Sequence, residues 1–238
     1  MIIPVIFEDD YLLLIDKPSG LTVNKSETTR GDTIQDWAVQ NIDLSDSKNI
    51  SRDSDFYKRV GIVHRLDKET SGLLLIAKNP GVFADLQEQF QKRKVKKTYY
   101  ALVHGEIKPD EGQIRVPIAR LPWNRFRFGV MPMGRQSVTR YRLIKSFMLG
   151  NQQISLVSLF PQTGRTHQIR VHMSYIGHPV VGDSLYSGRK KSISDRKNVG
   201  RLMLHAAKIE FTHPVTLNFV AFTAPIPDDM KRIIGYDY

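Results

Sequence analysis

The chain has 238 residues, 41% of them hydrophobic and 25% charged, a composition that excludes long-range disorder and leaves ample material for a buried core. Thirty-five Lys and Arg against 24 Asp and Glu give a formal charge of +11, which favours a polyanionic partner, nucleic acid ahead of an anionic membrane surface. With 0 Cys there are no disulfides or thiolate metal sites, and neither a signal peptide nor an apolar run near the ~20 residues of a membrane span is visible, so a cytoplasmic protein is expected.

Two apolar stretches flanking Glu8-Asp9-Asp10 predict a hairpin over Val5 to Ile15, closed off by the turn residues Lys17-Pro18-Ser19-Gly20. Asp32 with Gln35 reads as a capping box for a short helix that ends near Asn41. The polar segment from Ile42 to Tyr57 has no period and reads as a loop. Leu73 to Ala77 is a buried strand by pattern, and Asn79-Pro80 starts a helix through Gln91 with Phe83, Leu86 and Phe90 on one face. Further strands are expected at Tyr99 to His104, Arg140 to Lys145, Ile154 to Phe160, Lys208 to Thr212 and Asn218 to Thr223. A helix is expected over His167 to Ile176, with Gly177 after it. Helices that fall between runs of strands predict a mixed α+β fold on a mainly antiparallel sheet. No repeat or linker divides the chain, so residues 1–238 are expected to form one domain.

The densest chemistry lies in Gly61-Ile-Val-His-Arg-Leu-Asp-Lys-Glu-Thr-Ser-Gly-Leu-Leu-Leu75. There His64, Arg65, Asp67, Thr70 and Ser71 stand beside apolar strand residues. Charges at the border of a core need partners, so Asp67 faces either a cationic group or a cleft; a turn in which Asp67 and Thr70 bond to the backbone accounts for the pattern equally well. His167 and His172 lack the spacing and the carboxylate of a zinc site, and no phosphate-binding or dinucleotide fingerprint occurs.

His64-Arg65-Leu66-Asp67 with Thr70-Ser71-Gly72 resembles the signature of the RluA family of RNA pseudouridine synthases. The resemblance continues in order through Asp16-Lys17-Pro18-Ser19-Gly20-Leu21, Lys96-Lys97-Thr98-Tyr99, Thr163-Gly164-Arg165-Thr166-His167-Gln168-Ile169-Arg170-Val171-His172, His178-Pro179-Val180-Val181-Gly182-Asp183 and Arg201-Leu202-Met203-Leu204-His205-Ala206. It implies the fold of that family, a mainly antiparallel bent sheet with flanking helices and a central active-site cleft. It also implies isomerisation of uridine in structured RNA, ribosomal RNA ahead of transfer RNA, by a monomer that needs neither cofactor nor metal.

By the same resemblance Asp67 either attacks C1′ of the target ribose or takes a proton from C2′. Arg170 keeps that carboxylate ionised, and Tyr99 stacks on the uracil. Arg65 fills the space left by the extruded nucleotide. His64, Arg165, His167 and Gln168 are expected at the RNA, and Leu204 is either an apolar contact to the base or a core leucine. In Pro122-Trp123-Asn124-Arg125-Phe126-Arg127-Phe128 arginines alternate with aromatics, as in a loop that stacks on bases while Arg125 and Arg127 hold phosphates. Two segments, Ile42 to Tyr57 and Ser187 to Val199, match no motif of the family. The extra N-terminal RNA-binding domain of many relatives is expected to be absent. The rival readings are a silent RNA-binding protein of the same fold and an N-glycosidase of free nucleosides, which would release uracil.

Overall fold

The computed structural model describes residues 1–26, 29–42, 51 and 53–235, with residues 196 and 197 described by their backbone alone. In chain order the elements are β1 (Val5–Glu8), β2 (Leu12–Lys17), α1 (Ile34–Asn41), α2 (Asp55–Arg59), β3 (Ser71–Ala77), α3 (Pro80–Gln91), β4 (Lys96–His104) and β5 (Glu111–Leu121). They continue with β6 (Asn124–Val130), β7 (Arg135–Leu149), β8 (Gln152–Pro161), α4 (Gln168–Tyr175), α5 (Arg189–Asn198), β9 (Leu204–Thr212), β10 (Phe219–Thr223) and α6 (Asp228–Ile234). This is the expected mixed α+β fold, built on a large, mostly antiparallel open sheet. The chain divides into two compact units, Met1–Lys96 with Lys208–Ala224 and Lys97–Ala207 with Pro225–Tyr238.

In the first unit the Val5 to Ile15 hairpin forms because Asp9 Oδ1 accepts the backbone N–H groups of Tyr11 and Leu12 at 2.8 and 2.7 Å, holding β1 and β2 in antiparallel register. β2 pairs in turn with β3. Period-2 alternation sends Leu12, Leu14, Leu73, Leu75 and Ala77 into one core with Val82, Phe83 and Leu86 of α3. Asn79 caps α3 by accepting the Val82 N–H at 2.9 Å, with Pro80 in its first turn. β9 and β10 pair antiparallel, and Ile209 and Phe211 join the same core.

The second unit carries β4-β8-β7-β5-β6, each neighbour antiparallel to the next. Adjacent residues of β4 serve opposite faces: Ala101 and Val103 pack with Ile169 and Met173 of α4, whereas Leu102 packs with Met230 and Ile234 of α6.

Three sequence expectations are corrected, and a stretch that matches no motif is found to hold a helix. The capping box of α1 sits one residue later than expected, with Thr33 as cap and Asp36 closing it, because the carbonyls of Thr22 and Val23 already take the N–H groups of Ile34 and Gln35 and fix where the first turn begins. Residues 43–50 and 52 of the expected 42–57 loop lie outside the described residues, but residues 55–57 belong to α2, which Ser54 caps and buried Phe56 anchors. The 187–199 stretch contains α5, whose Asp195 is buried against His104 of β4 at 3.1 Å. The arginine and aromatic segment expected as a loop is strand β6, with only residues 122–123 in the turn that precedes it.

Candidate active site

Asp67 lies in the first unit, in the turn that leads into β3. Two features determine the approach to that turn. Gly61 has φ +71° and lies so close to β3 that a Cβ would come within 2.0 Å of the Ala77 carbonyl oxygen, a place open only to glycine. His64 then stacks on Phe90 at 4.9 Å, and its Nε2 accepts the Leu75 N–H at 3.0 Å. This side chain, expected at the RNA, is thus engaged in holding β3.

The turn is closed by main chain, the Thr70 N–H donating to the Asp67 carbonyl at 3.1 Å, while Leu66, Thr70 and Ser71 are buried beneath it. It is pinned from below by the Asp16 to Leu21 motif. Lys17, fully buried, directs its ammonium at the carbonyls of Pro18, Leu21 and Lys68 at 2.9, 3.0 and 3.2 Å. The Gly20 N–H also donates to the Lys68 carbonyl at 2.8 Å, and the Ser19 hydroxyl donates to that of Glu69 at 2.6 Å. The two motifs are therefore one piece of architecture: the first clamps the residues that follow Asp67. Asp67 itself is half-buried, and Arg65 is exposed.

Tyr99 lies in the second unit on β4, half-buried against the cluster that holds Ala101, Ile169, Met173 and Leu204. Leu204 is buried in that cluster as a core leucine. Tyr100 packs with the opposite cluster, as strand alternation requires. Lys97 precedes Tyr99 by two positions and shares its face. Burial lowers its ammonium to about 8, and a Cβ on Gly164 would lie 3.9 Å from its Nζ. The 163–172 motif thus begins beside Lys97.

That motif turns into α4 through His167, whose φ of +54° is unusual for a residue with a Cβ. Gln168 fixes the turn. Its Oε1 accepts the Thr163 hydroxyl and the Arg165 N–H at 2.6 and 3.1 Å, and its Nε2 donates to the Val138 carbonyl and the Thr139 hydroxyl, both at 3.0 Å. Gln168 was expected at the RNA; with its amide buried and engaged at both ends, it serves the protein instead. Arg170 is buried too, and its Nε and Nη2 form a two-point ion pair with Asp183 at 2.7 and 2.9 Å. Asp183 Oδ1 also accepts the N–H groups of Leu185 and Tyr186. Burial drives His172 down to about 4, so it is neutral at pH 7.

The Nε atoms of Arg127 and Arg165 are buried and have no hydrogen-bond partner among the described residues. Beyond Arg127, β6 carries exposed Arg125 and Phe126, and Trp123 stands exposed in the turn. Arg125 and Phe126 thus project from a strand rather than from a loop. The sequence reading missed three residues that organise the site: Lys17, Asp183 and Tyr186. The first two stand inside motifs already quoted. Tyr186 had only its place three residues after Asp183 to mark it.

The family model for RNA pseudouridylate synthase matches residues 11–175, and the chain belongs to that family. The ribosomal large subunit pseudouridine synthase D of Nitrosomonas europaea is 39% identical over 233 residues, 97% of this chain and 64% of that protein. YhcT, an uncharacterized RNA pseudouridine synthase of Bacillus subtilis, is 35% identical over 229 residues, which cover 96% of this chain and 70% of that one. Among solved structures, human RNA pseudouridylate synthase domain containing 1 superposes with a TM-score of 0.71 at 27% identity, covering 94% of this chain and 83% of that one. The resemblance read from the motifs is thus borne out over nearly the whole chain.

Proposed function

We propose that this chain converts uridine to pseudouridine in ribosomal RNA, with Asp67 as the carboxylate that acts on the target ribose. Atoms balance without a co-reactant: the N1–C1′ bond breaks, C5–C1′ forms, C5 gives up its proton and N1 gains one. Asp67 serves either as nucleophile at C1′ or as the base that removes the C2′ proton. The observation that carries this reading is the mounting of Asp67, half-buried on a turn closed by main chain and pinned through Lys17, Ser19 and Gly20. A carboxylate on so constrained a backbone is pre-organised for chemistry rather than left on a mobile surface.

The other assignments follow the family. Tyr99 stacks on the uracil, Arg170 supports the catalytic carboxylate, and Arg65 takes the place of the extruded base. Arg125, Arg127, Arg165 and His167 contact the RNA backbone. Ribosomal RNA is favoured because relatives carry ribosomal large subunit names, and the net charge of +11 suits any folded RNA. We read both compact units as one catalytic domain, since the family model runs across them, and the protein as a cytoplasmic monomer. Among the described residues no helix is long and apolar enough to cross a membrane.

The test uses unmodified ribosomal and transfer RNA labelled with tritium at uracil C5. The wild-type protein should release tritium from ribosomal RNA without freeing uracil, and Asp67→Ala should release none while binding RNA as before. Tritium release undiminished in Asp67→Ala would remove Asp67 from the reaction, and free uracil would identify an N-glycosidase.

A further inference from the structure

Tyr186 lies outside the motifs quoted above and touches both β6 and the start of α4. Its hydroxyl lies 3.0 Å from the Phe128 N–H of β6 and 2.9 Å from His167 Nδ1 at the start of α4. The guanidinium groups of Arg127 and Arg170 both lie over its ring, 5.3 and 5.2 Å from the centroid. Phe128 meets His167 edge to face at 5.7 Å. The residue is buried, and Asp183, the ion-pair partner of Arg170, accepts its N–H at 3.1 Å.

These contacts specify more than packing. The Tyr186 oxygen accepts from Phe128 and shares a hydrogen bond with His167 Nδ1, so one hydroxyl joins the strand to the helix. Burial raises the phenol above its ordinary value, which keeps the hydroxyl protonated at neutral pH. The same bond secures His167 in its left-handed backbone conformation, where the helix turn needs support. The aromatic ring meanwhile lets two cations, Arg127 from the strand and Arg170 from the helix, lie against one side chain; its negative π face offsets repulsion between them.

We propose that Tyr186 is a positioning residue for RNA: it joins strand β6 to helix α4 and holds the Arg127 guanidinium against its ring, so that the strand meets the phosphate backbone with that cation in a fixed place. The inference rests on the reading of the chain as an RNA-modifying enzyme, but it concerns binding and can be measured apart from turnover.

Tyr186→Phe keeps the ring and removes both hydroxyl bonds. Loss of hydrogen bonds of this kind should raise KM and the RNA dissociation constant about 10-fold, with kcat within about twofold of wild type. Arg127→Gln should do the same, and the double variant should be no worse than either single one, because both act on one grip. Additive losses or a fall in kcat at constant KM would each overturn the proposal. If the wild type makes no pseudouridine, the functional reading fails on its own. The dissociation constants would still decide the role of Tyr186.

Discussion

The turn that carries Asp67 is organised by a buried cation, Lys17, whose ammonium is satisfied by three main-chain carbonyls. The turn that follows α4 is organised by another, Arg170, whose Nε and Nη2 pair with the carboxylate of Asp183. Main-chain dipoles bind the first and a carboxylate binds the second. The difference has a physical consequence. A lysine gathering carbonyls fixes the path of the backbone, and its loss leaves dipoles unpaired; an arginine facing a carboxylate fixes a side chain, and the loss of either partner leaves a bare charge in the core.

The largest expected effect follows from that asymmetry. Asp183→Ala should destabilise the second unit by about 3–5 kcal/mol in urea unfolding, the range for stripping one partner from a buried ion pair. Replacing both partners by Met and Leu should restore much of that stability and no turnover. Lys17→Met should cost about 2–3 kcal/mol, since the unpaired carbonyls can relax toward water, and should lower turnover through the Asp67 turn. A larger loss for Lys17→Met than for Asp183→Ala would break the comparison.

A matched pair of glycines sharpens it. Gly61 in the first unit and Gly182 in the second have φ of +71° and +79°, and at each a Cβ would stand 2.0 Å from a carbonyl oxygen, of Ala77 and Arg201 respectively. Alanine at either should cost about 2 kcal/mol or more, by clash and by backbone strain together. Hydrogen exchange should localise each loss to its own unit. Protection lost equally in both units would show that they unfold as one.

The smallest effect is one of pH. His172 has a folded value of about 4, below its unfolded value of about 6.5, so the unfolded chain binds the proton first as pH falls. Stability from this residue is complete above pH ~6.5 and is lost between there and about 4. In the first unit burial works to raise Asp9, but the backbone donors of Tyr11 and Leu12 and the side chain of His213 outweigh it and hold the carboxyl below its ordinary value. Its contribution is present above the unfolded value near ~3.9 and disappears only as pH falls through the folded one. Urea midpoints between pH 7 and 5 should therefore decline, and His172→Gln should flatten that decline. An equal slope in the variant would remove His172 as its cause.

Much of this protein is legible in its residues because the signals are local. Asn79-Pro80 specifies the start of α3 through bonds within three residues, and the alternation of Leu12 and Leu14 already sorts faces of a strand. The motifs around Asp67, Tyr99 and Arg170 are contiguous, so a resemblance could find them. Less was legible where partners are distant in sequence. The arginine and aromatic segment looked like a loop because its strand character depends on pairing with β5, as with Arg120 opposite Phe128. Gln168 looked like an RNA contact because only the folded chain shows its amide turned inward, to Thr163 and Val138.

By itself the sequence determined the family, the α+β class and the identity of the carboxylate proposed for catalysis, since each is written in residue type at short spacing. Tertiary structure alone decided that Lys17 clamps the Asp67 turn across 51 residues, that Asp183 holds Arg170, and that Tyr186 ties β6 to α4 across 58. The reason is physical: a buried polar group must be satisfied, but any of many donors or acceptors can satisfy it, and which one arrives is settled only when the chain has packed.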